Sequence, residues 1–351
     1  MRLPRLNPTA QLVRDEQRVI VLVDDGDDLE LEGDAGQIGD LLRALDGRTP
    51  LAEIAVEGAT AEEIADGIGA LAAAGLVDDA AEDERLSPAD RERYDRQLRY
   101  FGEIGAEPRA VHQRRLADAT VCVLGLGGLG GMASLMLAAC GVGRIVGVDG
   151  DTVEPSNLAR QVVFSTADVG RAKAQATDER LRALRPDLDF TGVDALLDSP
   201  AAITGVIAGA DAVVAAVDWP ACAIGRWVNE ACIGAGIPYV AMSQHPPLVR
   251  IGPTYVPGHT GCLACQEEAY RRDHPGYDDL VAQLADASPA ATYAPACGVI
   301  GSLVANEVIA LLTGLHPPAC LGRSALLDLR TLAVTTEPVV RVAACALCGT
   351  P

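Results

Sequence analysis

A glycine-rich run at residues 125–130, with the sequence GLGGLG, has the residue types and spacing of a phosphate-binding turn. Gly125 would allow the tight turn, Gly127 would let the backbone approach a phosphate, and Gly130 would let a helix pack closely against a strand. Asp149 follows 19 residues after Gly130, where an acidic residue would accept hydrogen bonds from ribose hydroxyls. The pattern predicts a nucleotide site; the alternative is a glycine-rich turn without a ligand.

Polar side chains that suit phosphate chemistry follow this run. They lie in the segment DTVEPSNLARQ and shortly after it: Asp151, Asn157, Arg160, Gln161 and Lys173. Doubly wound sheets bind their ligands beyond the carboxyl ends of the strands, where this segment would begin. Arg160 can contact phosphate oxygens with two hydrogen bonds and offset the charge that develops during nucleotidyl transfer, and Lys173 is a second phosphate candidate. The alternative for both side chains is a solvated surface position.

Two Cys-x-x-Cys pairs lie 83 residues apart in the sequence: Cys262 with Cys265, and Cys345 with Cys348. In a protein of a reducing compartment, two such pairs favour one tetrahedral zinc site with four thiolate ligands over redox chemistry. Four protein ligands leave no open position on the metal, so the predicted zinc is structural. It would attach the C-terminal segment to the rest of the fold.

Apolar patterning predicts the elements that position the glycine run. The β-branched run 120–124 predicts a strand, the segment rich in Ala, Met and Leu after it predicts a buried helix ending at 141–143, and 145–148 predicts a second strand. The stretch from Asp211 predicts a further buried strand that ends on Asp218. One structural alternative for this acid is a helix cap before Trp219-Pro220. We therefore predict a Rossmann-like, doubly wound α/β domain.

Residues 1–85 are predicted to form a separate α+β domain that resembles a winged helix, followed by a second domain at 86–351. Two strands (18–23 and 29–32) joined by an acidic turn (24–28), three helices (36–45, 51–56 and 61–76) and a polar linker (78–93) are expected. The first strand would be an edge that pairs with an extended peptide, and the last helix would supply an apolar wall. The alternative is an appendage used for packing or dimerisation.

Composition excludes several classes of protein. The 351 residues carry a net charge of −21, which disfavours a nucleic-acid partner because phosphate neutralisation needs clustered Lys and Arg. The N-terminus lacks the apolar core of a signal peptide, and we expect no stretch of about 20 apolar residues able to span a membrane. The expectation is a soluble, cytoplasmic protein whose ten cysteines do not form disulfides.

Two further side chains are open candidates. Cys297, within the motif APACG, lies just beyond the segment 266–291 and is a candidate nucleophile, although no activating partner is visible in the sequence. His245 precedes Pro246-Pro247 near the end of a predicted strand at 237–242, where it would line a substrate pocket or lie in a solvated loop. Cys122 and Cys140 are expected in the core.

Several motifs together resemble the adenylating domains of ubiquitin-activating-like enzymes, the family of the bacterial sulfur-carrier activators (ThiF, MoeB and HesA types). They span about residues 90–351 in order: YDRQLRYFG, GLGGLG, VDGDTVEPSNLARQVVF, the two Cys-x-x-Cys pairs and APACGVIGSLVANEVIALLTG. Within this family, GPTYVPGHTGCLACQ, PAATYAPACG, the final CALCG and the small N-terminal domain are similar to the branch of microcin C-type peptide adenylating enzymes. Residues 41–79 also resemble leader-peptide recognition domains.

The resemblance implies an enzyme that activates a carboxyl group as an acyl nucleotidylate, with ATP or CTP and magnesium. It implies that Arg160 and Lys173 hold the triphosphate and that Asp218 binds the magnesium. Arg96 would reach across a two-fold interface into the other subunit's site, which implies a homodimer. In the similar branch, the N-terminal domain clamps a ribosomal peptide and the enzyme activates the C-terminal carboxyl of that peptide. Members that pass the product to a thiol carry a cysteine in the segment corresponding to 266–291, which has none here.

Two alternatives remain open at this point. The first is an adenylyltransferase for a sulfur-carrier protein ending in Gly-Gly, although such activators do not need an N-terminal clamp. The second is an inert scaffold that presents leader peptides, although relatives of that kind lose the nucleotide motifs that stand here. A dehydrogenase is disfavoured because the NLARQ segment and the cysteine pairs would have no role in it.

Overall fold

Two hydrophobic cores divide the chain into two units, Met1–Arg115 and Leu116–Pro351, in the computed structural model. The described residues are 1–7, 11–14, 19–22, 29–31, 33–105, 107–284 and 291–349. The predicted acidic turn at 24–28 lies outside them, as do the end residues Val23 and Glu32 of the two predicted strands.

Short strands and helices build the first unit. Its strands are β1 (Pro4–Leu6), β2 (Gln11–Arg14), β3 (Val19–Leu22), β4 (Leu29–Leu31) and β5 (Val77–Asp79). Its helices are α1 (Ala35–Ala44), α2 (Ala61–Ala73), α3 (Pro88–Arg93), α4 (Asp95–Ile104) and α5 (Arg109–Asp118), the last of which continues past the division. β1 pairs with β5, and β2, β3 and β4 form an antiparallel sheet in that order. The apolar face of α2 is buried against this core through Ile64, Ile68 and Leu71.

Two local predictions for this unit were wrong. β3 is not an edge strand, because it pairs with β2 on one side and β4 on the other, so it cannot accept a peptide as an added strand. The predicted helix at 51–56 is only a 3₁₀ turn at Leu51–Glu53. Ile54 takes up an extended backbone conformation there, and its side chain is buried with that of Val56, so core packing overrides the local helical pattern.

The polar stretch 78–93 is folded and is not a linker. It contains the end of β5, a 3₁₀ helix at Ala80–Arg85 and α3. Asp83 is buried and accepts hydrogen bonds from Arg5 Nη1 at 2.6 Å and Arg109 Nη2 at 2.7 Å. Burial alone would raise the pKa of Asp83, but the two guanidinium groups outweigh it and lower that pKa. Ion pairs and hydrogen bonds between polar residues therefore fold a segment whose composition indicated a linker, and most of its side chains remain accessible to solvent. The functional boundary at residue 85 stays a prediction.

An eight-stranded sheet forms the centre of the second unit. Its strands are β6 (Thr120–Leu124), β7 (Arg144–Val148), β8 (Asp189–Val193), β9 (Ala212–Ala215), β10 (Tyr239–His245), β11 (Leu248–Tyr255), β12 (Arg323–Asp328) and β13 (Val334–Pro338). The helices are α6 (Gly128–Cys140), α7 (Lys173–Leu184), α8 (Pro200–Ile207), α9 (Ala223–Ala235), α10 (Leu263–Asp273), α11 (Tyr277–Leu284) and α12 (Ala294–Thr313). The order is β13-β12-β11-β10-β9-β6-β7-β8, with β10, β9, β6, β7 and β8 parallel and the rest antiparallel. This arrangement confirms the predicted α/β, Rossmann-like fold.

The strand order reverses at β6, which pairs with β7 on one side and with β9 on the other. Such a reversal opens a crevice beyond the carboxyl ends of the two central strands. Gly125, directly after β6, has a φ of +87°, and a Cβ there would lie 2.6 Å from the carbonyl oxygen of Ala216. A Cβ on Gly130 would lie 1.8 Å from the carbonyl oxygen of Gly125. Both positions therefore require glycine for the turn to close.

Helix α12 corrects one expectation from the sequence. Among the described helices, it is long and apolar enough by length and composition to cross a membrane. More than half of its apolar window is buried inside the protein, where α12 packs along α6 and against β10 and β11. This packing is that of a core helix.

Candidate active site

The carboxylate of Asp149 connects the elements that meet at the carboxyl end of β6. Its Oδ2 accepts the backbone N–H of Leu126, inside the glycine run, at 2.8 Å. Its Oδ1 accepts the backbone N–H of Asp151 at 2.9 Å and lies 3.8 Å from Lys173 Nζ. One side chain at the end of β7 thus fixes the turn after β6 and the loop after β7.

The charge of Asp149 is itself balanced by this environment. Burial raises the pKa of Asp149, and the charge of Lys173 and the two backbone N–H groups reduce that rise without cancelling it. An acid this buried holds a proton more tightly than a solvated one. Asp149 therefore becomes fully ionised only at pH values above the range in which ordinary Asp side chains titrate. Its hydrogen bonds to the glycine turn are strongest in that ionised form.

Lys173 is the first residue of α7, and its side chain is 8% exposed. Its Nζ contacts Asp151 Oδ2 at 2.7 Å. The structure thus brings together three of the residues predicted for nucleotide binding, Asp149, Asp151 and Lys173, beside the glycine run. A buried ammonium beside the N-terminus of a helix suits an anionic ligand.

The NLARQ loop covers the start of α6. The Gln161 Nε2 atom would lie 3.5 Å from a Cβ on Gly127, and the carbonyl oxygen of Arg160 would lie 3.2 Å from a Cβ on Gly128. Gln161 is buried, and its Oε1 makes no hydrogen bond within the described part of the chain. An unsatisfied buried amide beside a glycine turn indicates room for a polar ligand. Arg160 Nη1 donates to the carbonyl of Ser156 at 3.0 Å.

Asn157 has a structural part in this loop. It is buried, and its Oδ1 accepts the backbone N–H of Glu154 at 3.1 Å, which holds the turn that begins the loop. The side chain is therefore engaged by the loop itself. Any contact of Asn157 with a nucleotide stays a prediction.

Asp218 lies three residues beyond β9, with an exposed side chain on the far side of the switch point. The preceding residues, Ala216 and Val217, are those against which Gly125 packs. The structural alternative for Asp218 was wrong: α9 begins at Ala223 with Cys222 as its N-cap residue. An exposed carboxylate in this position fits a role as a ligand to a hard cation.

Three side chains that the sequence did not combine lie on the other side of the glycine run. Cys297, near the start of α12, is buried, and its Sγ would lie 2.5 Å from a Cβ on Gly128. Its Sγ is 3.3 Å from Thr292 Oγ1, which donates to Gln244 Oε1 at 2.9 Å. Gln244 and Thr292 lie 48 positions apart in the sequence, and all three residues lie far from Gly128, so no spacing rule links them to the glycine run. His245, the last residue of β10, is exposed.

The four cysteines of the two Cys-x-x-Cys pairs converge. Their sulfur atoms all lie within 4.8 Å of one another, with Cys262 to Cys345 at 3.7 Å and Cys265 to Cys348 at 3.4 Å. Tetrahedral zinc with Zn–S bonds of about 2.3 Å needs sulfur atoms about 3.8 Å apart, so the four residues fit this metal. All ten cysteines of the chain are free of disulfides.

Local hydrogen bonds favour the thiolate form at one cysteine of the cluster, whereas burial raises the pKa of Cys262 and of Cys348. Burial alone would raise the pKa of the Cys345 thiol, but the backbone N–H groups of Cys348 and Leu347 and the neighbouring thiols lower it to about 6. The backbone N–H of Val342 points to Cys265 Sγ at 3.4 Å. Arg341 donates to the carbonyl oxygens of Cys348 and of Gly258, the latter at 2.8 Å, which braces the C-terminal pair.

Comparison with known proteins finds relatives over most of the chain. The ThiF family pattern matches residues 94–347. The chain is 32% identical over 253 residues to the sulfur carrier protein ThiS adenylyltransferase of Escherichia coli K12, covering 72% of this chain and 95% of that protein. It is 34% identical over 269 residues to the molybdopterin-synthase adenylyltransferase of the same organism, covering 75% and 98%.

Solved structures resemble the whole chain. E. coli MccB crystallised with MccA-N7isoASN has a TM-score of 0.80 at 23% identity and covers 100% of both chains. E. coli MccB with ATP has a TM-score of 0.77 at 24% identity and covers 99% of both. At these identities the similarity shows a common fold.

Metal content tests the cysteine cluster. We expect about one zinc per chain in purified protein, because the four sulfur atoms are already at tetrahedral spacing. Cys345→Ser should lower both the zinc content and the melting temperature, whereas Cys140→Ser, a thiol outside the cluster, should leave the zinc content unchanged. Elemental analysis with thermal unfolding measures both. Folded wild-type protein without metal, or full zinc content in Cys345→Ser, would contradict the assignment.

Proposed function

The chain belongs to the ThiF family of adenylating enzymes, and we propose that this adenylyltransferase activates the C-terminal carboxyl group of a ribosomal peptide. In the proposed reaction, a carboxylate oxygen of the peptide attacks the α-phosphorus of the nucleotide. The bond from that phosphorus to the pyrophosphate oxygen breaks, which gives an acyl nucleotidylate and pyrophosphate. A nucleophile, such as an amide nitrogen, would then take the acyl group and release the nucleoside monophosphate.

The observation that carries the peptide assignment is the extent of the two similarities. The ThiS adenylyltransferase is matched over 95% of its own length but leaves more than a quarter of this chain without a counterpart. MccB, which was crystallised with MccA, is matched over 100% of both chains, including the first unit. Because a sulfur-carrier activator works without that unit, its presence here supports a substrate that needs an additional binding surface.

A groove in the first unit supports the same proposal. It has a volume of about 490 Å³ and lies between the start of α2 and the segment 50–54. Its lining includes Leu51, Ile54 and Ile64, with Arg2 at its rim. An apolar groove beside a helix suits the side chains of an extended or helical peptide segment. We propose that this groove, which replaces the edge-strand mode expected from the sequence, clamps the peptide.

The proposed roles at the reaction centre follow from the geometry above. The glycine turn, with Gly125, Gly127 and Gly130, and the start of α6 would hold the phosphates, and Asp149 would accept ribose hydroxyls. Arg160 and Lys173 would offset the triphosphate charge, with Gln161 and Asn157 shaping the covering loop. Magnesium on Asp218 would supply further positive charge to the phosphates. These residues act by positioning and charge stabilisation, since the substrate carboxylate is itself the nucleophile.

A homodimer with composite sites is part of the proposal. Arg96 lies in α4, within the YDRQLRYFG motif, and its side chain is 89% exposed. Its nearest acidic neighbour is Asp95 at 3.9 Å, a weak contact for a guanidinium group. Such an arginine is available to contact the nucleotide of a second subunit. A cytoplasmic location is also part of the proposal, because a site with four thiolate ligands suits a reducing compartment.

Activation of a sulfur-carrier protein is the second candidate function. The observation that favours it is sequence identity: 32% to 34% with two sulfur-carrier adenylyltransferases, against 23% with MccB. The two candidates differ in substrate size and in the need for the first unit. A neighbouring gene that encodes a short peptide would favour the first candidate. A neighbouring gene that encodes a small protein ending in Gly-Gly would favour the second.

Complementation between two inactive variants tests the composite site. Arg160→Ala should reduce substrate-dependent pyrophosphate release by roughly two to three orders of magnitude, the usual effect of removing one transition-state charge contact. Arg96→Ala should also abolish it, and mixing the two variants should restore part of the activity, because some heterodimers carry one intact site. Arg330→Ala removes an exposed arginine that pairs with Asp328 at the end of β12; it is the matched control and should remain active. A near-normal rate in Arg160→Ala, or no recovery on mixing, would contradict the respective role.

A pair of helix variants tests the clamp. Ala65 is exposed and lines the groove, whereas Ala70 is exposed on the same helix outside it. Ala65→Arg should fill the groove and raise the KM for the encoded peptide about tenfold or more, with nucleotide affinity unchanged. Ala70→Arg should behave as wild type. Steady-state kinetics with the encoded peptide measures this difference, and equal KM values for the two variants would show that the groove does not bind it.

A further inference from the structure

The ammonium group of Lys173 already has a partner in the chain. Lys173 Nζ lies 2.7 Å from Asp151 Oδ2 and 3.8 Å from Asp149 Oδ1, and the lysine side chain is only 8% exposed. Asp151 differs from Lys173 in exposure, since 64% of its side chain is accessible. The carboxylate therefore lies between a buried cation and the open face of the crevice, where a phosphate oxygen bound to Lys173 would have to lie.

Backbone pairing keeps this carboxylate in place. The backbone N–H of Lys173 donates to the carbonyl of Asp151 at 2.9 Å. Val153 adds two more bonds, donating to Arg171 at 2.9 Å and accepting from Gly170 at 2.8 Å. This ladder closes the base of the loop that carries Arg160. Because the two segments are held together, the backbone of Asp151 is fixed beside that of Lys173, which keeps the Asp151 carboxylate within reach of the ammonium group.

We propose that Asp151 makes this site selective for a nucleotide that is bound to a divalent cation. Its carboxylate accepts the hydrogen bond of the Lys173 ammonium group that a phosphate oxygen would otherwise accept. The inference rests on the proposed nucleotide site and assigns Asp151 a different task from direct binding. A metal-free triphosphate must share Lys173 with Asp151 and then lies beside two carboxylates, Asp149 and Asp151. A divalent cation removes two negative charges from the ligand and so relieves this repulsion.

The charges of the neighbourhood support this reading. The charges of Asp149, Asp151, Lys173 and Arg160 sum to zero, and Asp218, the proposed magnesium ligand, adds one negative charge, so the pocket offers no net positive charge to a free triphosphate. Removing the charge of Asp151 makes the pocket less negative by one charge, beside an ammonium group that is largely shielded from solvent. The effect should therefore be largest for the ligand with the highest negative charge.

The test measures the affinity of the full-length protein for AMPCPP by calorimetry, once in EDTA and once with saturating magnesium. In Asp151→Asn, we expect the Kd for metal-free AMPCPP to fall about tenfold and the Kd for the magnesium complex to change by less than about threefold. The preference for the magnesium complex should thus shrink. Asp151→Glu, which keeps the charge, should retain a preference close to that of wild type.

Two controls separate this task from general electrostatics. Asp194→Asn removes an exposed acid directly after β8, at the same edge of the sheet, and should alter both affinities less than twofold. In a Lys173→Met background, Asp151→Asn should no longer lower the Kd for metal-free AMPCPP more than Asp194→Asn does. Unchanged or weaker metal-free binding in Asp151→Asn overturns the inference, and a loss confined to the magnesium complex overturns it by showing that Asp151 is a metal ligand. If wild-type protein binds neither form, the proposed nucleotide site itself fails.

Discussion

The carboxylate of Asp149 is the contact on which the reaction centre depends. It sits at the end of β7, accepts one backbone N–H from the glycine turn and one from the following loop, and faces the ammonium group of Lys173. These contacts join β6, β7 and α7 at the point where the strand order reverses. A buried charge is costly unless it is paired and hydrogen-bonded, so the surrounding groups must keep their places for Asp149 to remain ionised. The same requirement keeps the glycine turn in the conformation that the proposed phosphate site needs.

The rest of the second unit stabilises this arrangement from two directions. On one side, α12 packs along α6 and places Cys297 against Gly128. This contact restricts sideways movement of the start of α6. From the other side, the cysteine cluster attaches the last residues of the chain to the start of α10. Both restrict where the backbone can move, which is the contribution expected of a protein that catalyses by positioning.

The sequence predicted the parts of the site that obey local rules. Gly125 and Gly130 follow from the steric needs of one turn, and the cysteine pairs follow from the spacing of zinc ligands. The contacts of Asp151 with Lys173 and of Cys297 with Gly128 could not be predicted, because they depend on how distant segments pack. The same is true of Asp83, whose burial between Arg5 and Arg109 turned an expected linker into folded structure. Composition reports whether a residue is polar, but the structure decides whether its partner is water or another side chain.

The central claim is that a substrate carboxylate attacks the α-phosphorus of a nucleotide at this site. Isotope transfer tests it most directly. The encoded peptide, labelled with ¹⁸O in its C-terminal carboxyl group, is allowed to react with ATP to completion, and the products are analysed by mass spectrometry. The account predicts one ¹⁸O atom in AMP and none in pyrophosphate, because the attacking oxygen stays on the α-phosphorus when the acyl group leaves. Label in inorganic phosphate with formation of ADP would show attack on the γ-phosphorus, and unlabelled AMP would show hydrolysis by water; either result would contradict the account.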